Sequence, residues 1–83
     1  MVRIVYFARV REAIGVDGEE RDVPPGTSIA ALLDVLAVES DAYADAFADR
    51  TKLRFALDQH MVPDETLLDG AVELAIFPPV TGG

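Results

Sequence analysis

Apolar and polar residues alternate over residues 2–8, with Val2, Ile4 and Tyr6 on one side and Arg3, Val5 and Phe7 on the other. That period of two predicts a β-strand. Val10 and Ile14 lie four apart, so residues 9–14 are read as a short helical turn with Gly15 as its left-handed cap. Asp17-Gly18 signals a turn, and residues 19–23 follow as a second, polar strand suited to a sheet edge. Pro24-Pro25-Gly26 ends that strand. Thr27 or Ser28 then caps a helix running to about Glu39, in which Ile29, Leu32, Leu33 and Leu36 form a single apolar stripe. Asp41 is read as the cap of a second, short helix that puts Tyr43, Ala46 and Phe47 on one face. Leu53, Phe55 and Leu57 alternate with Arg54, Ala56 and Asp58 as a third strand. Asp58-Gln59-His60 forms its turn, and Met61-Val62 begins a short strand that Pro63 ends. Asp69-Gly70 is a further turn. Residues 71–77 make the last strand, with Val72, Leu74 and Ile76 inward and Glu73, Ala75 and Phe77 on the opposite face.

The order is strand, strand, helix, strand, strand, with the one long amphipathic helix between the second and third strands. A mixed sheet folded over that helix is the two-layer solution. This is an α+β architecture, the β-grasp or ubiquitin-like fold. A ferredoxin-like domain would need two comparable helices, each between strands, and here the second helix is short and follows the first directly. The expected division is a β-grasp domain over residues 1–77 and a C-terminal tail over residues 78–83.

Composition narrows the function. A chain of 83 residues makes one small domain with little room for a deep pocket of its own. Hydrophobic residues at 51% suffice for a core. The absence of cysteine removes disulfides, zinc–thiolate sites and a thiol nucleophile. Seven Lys and Arg against 15 Asp and Glu give a net charge of -8. A phosphate backbone would repel such a surface, so nucleic acid is not an expected ligand, and the balance favours basic protein partners. No apolar run reaches the ~20 residues of a membrane span. The N-terminus lacks the small-residue cleavage site of a signal peptide, so no membrane association and a cytoplasmic location are expected. His60, with Asp58, Asp64 and Glu65 nearby in sequence, is read as part of a solvated turn rather than a metal site. Glu19-Glu20 and Asp64-Glu65 are likewise read as solvated loop charge. With no metal site and no glycine-rich phosphate loop, no bound cofactor is expected, nor is a self-sufficient hydrolase or metalloenzyme.

The chemistry is expected at the end of the chain, Phe77-Pro78-Pro79-Val80-Thr81-Gly82-Gly83. Pro78 and Pro79 have no N–H, so the sheet ladder stops there, and each holds the residue before it extended. Six residues from Pro78 reach about 20 Å. Gly82 and Gly83 have no Cβ, so they fit a channel too narrow for other residues and present the terminal carboxylate deep inside another protein. Val5 and Phe7 of the first strand and Ala75 and Phe77 of the last, joined by Met61, are expected to form an apolar patch on the outer sheet face, a partner surface.

Two segments carry a resemblance across nearly the whole chain: Phe7-Ala8-x-Val10-Arg11-Glu12-x-x-Gly15 and Ile76-Phe77-Pro78-Pro79-Val80-Thr81-Gly82-Gly83. With the Asp69-Gly70 turn, the chain resembles the MoaD family, the small, sulfur-carrying subunit of molybdopterin synthase. One departure is Asp58, where Asn is expected in relatives. The resemblance implies that an adenylating enzyme activates the Gly83 carboxylate with ATP and that sulfur from a sulfurtransferase donor replaces AMP, giving a thiocarboxylate. The tail then enters the large synthase subunit of a heterotetramer, where the sulfur attacks a pterin precursor. Acids, bases and ATP would belong to the partners, so the chain acts as the donating subunit of a sulfurtransferase without catalytic side chains of its own. Phe7, Met61 and Phe77 would make the apolar contact and Val80, Thr81, Gly82 and Gly83 the insertion. Arg11 either pairs with a partner carboxylate or belongs to a surface salt bridge. The rival readings are the sulfur carrier of thiamine biosynthesis, typically shorter and without these two signatures, and a ubiquitin-like protein modifier.

Overall fold

The N-terminal alternation builds a strand at the centre of the sheet. The computed structural model describes residues 1–78, in which β1 spans Val2–Tyr6, α1 Ala8–Ile14 and β2 Gly18–Arg21. α2 (Ile29–Glu39) and α3 (Asp41–Ala46) follow, then a 3-10 turn at Arg50–Lys52. β3 (Arg54–Leu57), β4 (His60–Val62) and β5 (Glu73–Phe77) complete the sheet, in the order β2-β1-β5-β3-β4. β1 and β5 run parallel at the centre and the other pairs are antiparallel. The polar β2 is an edge, as its sequence predicts. The mixed sheet packed on α2 is the expected β-grasp.

The inward set of β1 is Val2, Ile4 and Tyr6, and that of β5 is Leu74 and Ile76; all five are buried. They meet the stripe Ile29, Leu32, Leu33 and Leu36 of α2, also buried. Ser28 is the cap of α2: its hydroxyl accepts from the Ala31 N–H at 3.1 Å. The carbonyls of Thr66 and Asp64 take the N–H groups of Ile29 and Ala30. Three first-turn donors that a helix leaves unpaired are thereby satisfied. α3 lays Phe47 into the core and packs Tyr43 and Ala46 against it, the face its sequence predicts.

Several expectations are corrected. The first strand stops at Tyr6, because Ala8 takes φ 51 and turns the chain into α1, which starts one residue earlier than the spacing implies. β2 ends at Arg21 rather than residue 23. Ser40, not Asp41, caps α3, its hydroxyl accepting from the Tyr43 N–H. The tight turn is Asp58-Gln59 alone, both with positive φ, which leaves His60 as the first residue of β4. Val72 is not inward: it is 71% exposed. The Asp58 carboxylate accepts from both Val72 N–H and Glu73 N–H at 2.9 Å, so the chain bends there and the strand begins at Glu73.

Candidate partner-binding face

The face opposite the helices is built by register. Val5 lies beside Ala75, Ala75 beside Ala56, and Ala56 beside Met61. One apolar row thus crosses four strands on a surface that normally carries polar side chains. One residue pair nearer the sheet's end, Phe7 and Phe77 pack edge to face, with ring centroids 6.1 Å apart and planes at 83°. Phe7 is 45% exposed and Met61 60%, while Phe77, Val5 and Ala75 are half-buried. The helices pack on the other side, so this band is open. It joins the residues Phe7, Met61 and Phe77 that the sequence singles out, and adds Ala56.

Phe7 is held by its own backbone. Its N–H donates to the Ile76 carbonyl at 3.1 Å, extending the parallel ladder one residue past β1. Its carbonyl accepts from Val10 and Arg11 N–H, closing the first turn of α1. Alternation sends Tyr6 into the core and Phe7 outward, and the left-handed Ala8 stops the strand before a further residue can follow. Gly15, at φ 95, closes α1 by donating to the Arg11 carbonyl at 2.8 Å. Arg11 itself is exposed, beside Glu12 and Asp17. It takes no part in the side-chain ion pairs found among the described residues.

At the same end of the sheet, Phe77 pairs with Arg54 as the last rung of β3 and β5. Pro78 follows and lines a surface groove with Arg9, Val10, Lys52 and Leu53. The described part of the chain therefore ends beside Phe7. Val80, Thr81, Gly82 and Gly83 lie outside the described residues. Among those described, no group of three or more His, Asp or Glu side chains is placed to hold a metal ion.

The reading of Glu19-Glu20 as solvated charge holds for Glu20 and fails for Glu19. β2 pairs with β1, so its successive residues face opposite sides, and Glu19, opposite Ile4, points toward the helices. Its carboxylate accepts from Tyr6 Oη at 2.8 Å, from Tyr43 Oη, and from Arg21 Nε at 2.8 Å. Arg21 also makes a two-pronged pair with Glu39, both contacts at 2.8 Å. Burial alone would raise the Glu19 pKa, but hydrogen bonds from Tyr43, Tyr6 and Arg21 outweigh it and hold the carboxyl below the usual range. This network ties β2 to α2 and α3 and anchors Tyr6, the residue before Phe7.

Residues 4–83 match the ThiS family. The chain belongs to that family. Among the relatives of this ThiS-family chain, the molybdopterin synthase sulfur carrier subunit of Escherichia coli (strain K12) is 43% identical over 86 residues, covering 100% of both chains. The protein of the same description from Haemophilus influenzae is 37% identical over 83 residues, again covering 100% of both. The crystal structure of small archaeal modifier protein 1 from Haloferax volcanii superposes with a TM-score of 0.74 at 23% identity, covering 99% of this chain and 98% of that one. The last similarity speaks to the fold alone.

Ala56 and the inward Glu19 were not singled out in the sequence. Both follow from strand register, which alternation within one strand does not fix.

Proposed function

We propose that this chain is a sulfur carrier for molybdenum cofactor biosynthesis, acting as the small subunit of molybdopterin synthase, with Gly83 as the group that carries the sulfur. The observation that carries the reading is the end-to-end match to the 43%-identical sulfur carrier subunit. The open apolar band and the end of the described residues beside Phe7 support it, since both are what a subunit that inserts its terminus into a partner needs. The modifier reading falls behind it, since the 23%-identical structural neighbour shows the fold alone.

In this reading the Gly83 carboxylate attacks the α-phosphorus of ATP on an adenylating enzyme, and pyrophosphate leaves. The step is needed because a carboxylate on its own would have to expel oxide. The terminal sulfur of a donor persulfide then attacks the carbonyl carbon and AMP departs, giving an acyl disulfide, and a second thiol attacks the donor's sulfur, releasing the thiocarboxylate and leaving a disulfide. That group is anionic at neutral pH and a soft nucleophile, so a chain without cysteine can deliver sulfur. The large subunit, with two copies of each chain in the complex, receives the tail and supplies acids, bases and charge stabilisation. Phe7, Met61 and Phe77 seat the sheet face, Arg11 meets a partner carboxylate, and Val80, Thr81 and Gly82 line the inserted tail. The chain itself holds no cofactor, ATP being bound by the adenylating enzyme. The reaction is set in the cytoplasm; among the described residues no helix is long and apolar enough to cross a membrane.

The test is the intact mass of the chain after incubation with the adenylating enzyme, ATP and a sulfur source. Replacement of one oxygen by sulfur at Gly83 is expected. An unchanged mass, or adducts joined to lysine side chains instead, overturns the reading.

A further inference from the structure

The apolar band lies between charges of opposite sign. On its far side, away from the tail, Glu20, Arg3 and Glu73 form the next outward row, two acids to one base. On the tail side Arg54 stands beside Phe77, with Nη1 donating to the Leu53 carbonyl at 3.0 Å, so its guanidinium is partly fixed. Around the corner Arg9 and Lys52 share a groove with Pro78. Asp45 and Asp49 are in the same groove, and Asp49 is turned to the Thr51 hydroxyl and N–H. In a chain of net charge -8, the described residues of this end include three cations, Arg54, Arg9 and Lys52, beside two acids. Among the described residues the ion pairs use Arg21 and Arg50, which bind Glu39 and Asp34 of α2 on the other layer. Arg9, Lys52 and Arg54 are in none of them.

Resting on the carrier reading, we propose that the sheet face is electrostatically polarised to dock in one orientation. The large subunit meets Arg54 and Arg9 with an acidic rim at the mouth of its tail channel, and meets Glu20 and Glu73 with a basic group beyond the apolar band. Hydrophobic contact is non-directional, so it alone would permit the face to turn on its partner. Turning it brings like charges together at both ends, and this is how charge fixes register in an interface. The general expectation of basic partners is thus replaced by a two-signed one, with the acid nearest the tail.

The experiment measures association rate and Kd of the full chain with the large subunit, at low and raised salt. R9E/R54E is expected to weaken binding about tenfold, chiefly through the association rate, and E73K to weaken it in the same direction. Arg9 and Arg54 are exposed and Glu73 is half-buried, and thermal melting checks that the fold is kept. Should R54E lower the melting temperature, R9E with Arg54→Gln carries the test, with a smaller loss expected. Wild type that binds while every variant stays within about twofold of it overturns the polarised face and leaves the carrier reading standing. Wild type without affinity for the large subunit overturns both.

Discussion

Asp58 shows how one side chain fixes the route of the last strand. It sits at φ 49, and its Oδ1 accepts two backbone N–H groups, those of Val72 and Glu73. Its own N–H donates to the Glu73 carbonyl at 2.9 Å. Asp and Asn are the non-glycine residues that best tolerate this backbone region, and both offer the oxygen. Asp58→Ala loses the acceptor and keeps the strained backbone, so it is expected to cost about 2 kcal/mol in urea unfolding. Asp58→Asn is expected to stay within about 1 kcal/mol of wild type, consistent with Asn being the anticipated residue in relatives. Equal losses for the two would show that the acceptor does not matter. Glu19 contributes to the acid sensitivity of the fold. Its pKa in the folded chain is depressed, so the stability it contributes is present above the ordinary Glu value of about 4.3. That contribution fades as pH falls through the lower, folded value. Glu19→Gln is expected to lower stability at neutral pH and to flatten the loss of stability below about pH 4.3, as read from melting temperature against pH. A variant with the wild-type acid slope would remove Glu19 from the account.

At the scale of elements, the legible parts are those whose periodicity is enforced by one packing face. The stripe of α2 and the inward sets of β1 and β3 were readable because each repeats against a single buried layer. Val72 falls outside the alternation of β5 because Asp58 takes over the backbone before the strand begins. The cap of α3 is ambiguous in the sequence because Ser40 and Asp41 are both good capping types and only the geometry separates them. The candidate face was half legible. Phe7 and Phe77 were found as outward residues, but their edge-to-face contact depends on β1 and β5 running parallel in register. Phe7→Asp is expected to leave the melting temperature near that of wild type while weakening the complex with the large subunit, because an unpaired carboxylate would be buried in the interface at a cost of several kcal/mol. Phe77→Asp should act in the same way with some loss of stability, since Phe77 is already half-buried. Undiminished co-elution of both variants with the large subunit would remove the sheet face from the interface, and a lost circular dichroism signal for Phe7→Asp would make Phe7 a core residue.

For the whole molecule, the fold and the chemistry are separable, and tail length is the sharpest test of that separation. Among the described residues the buried side chains run from Val2 to Ile76. Pro78 then ends the ladder at the corner where Phe7, Phe77 and Arg54 meet. With the sheet face seated on a partner, the distance from that corner to the terminal carbonyl is set by residue count. A reacting carbon must lie within about 3–3.5 Å of its attacker, and one residue more or less moves it by roughly 3.3 Å. Deleting Gly83, or adding one residue after it, is therefore expected to abolish thiocarboxylate formation and molybdopterin synthesis while the melting temperature stays at the wild-type value. Gly82→Ala is expected to be intermediate or worse, because a methyl group must enter a channel sized for bare backbone. The paired measurements are molybdopterin formation by the chain reconstituted with the large subunit and thermal melting of the chain alone. A shortened or extended tail that still supports molybdopterin formation would mean that the reacting group is not the carboxylate of Gly83. A fall in melting temperature on deletion would mean that the tail belongs to the fold after all.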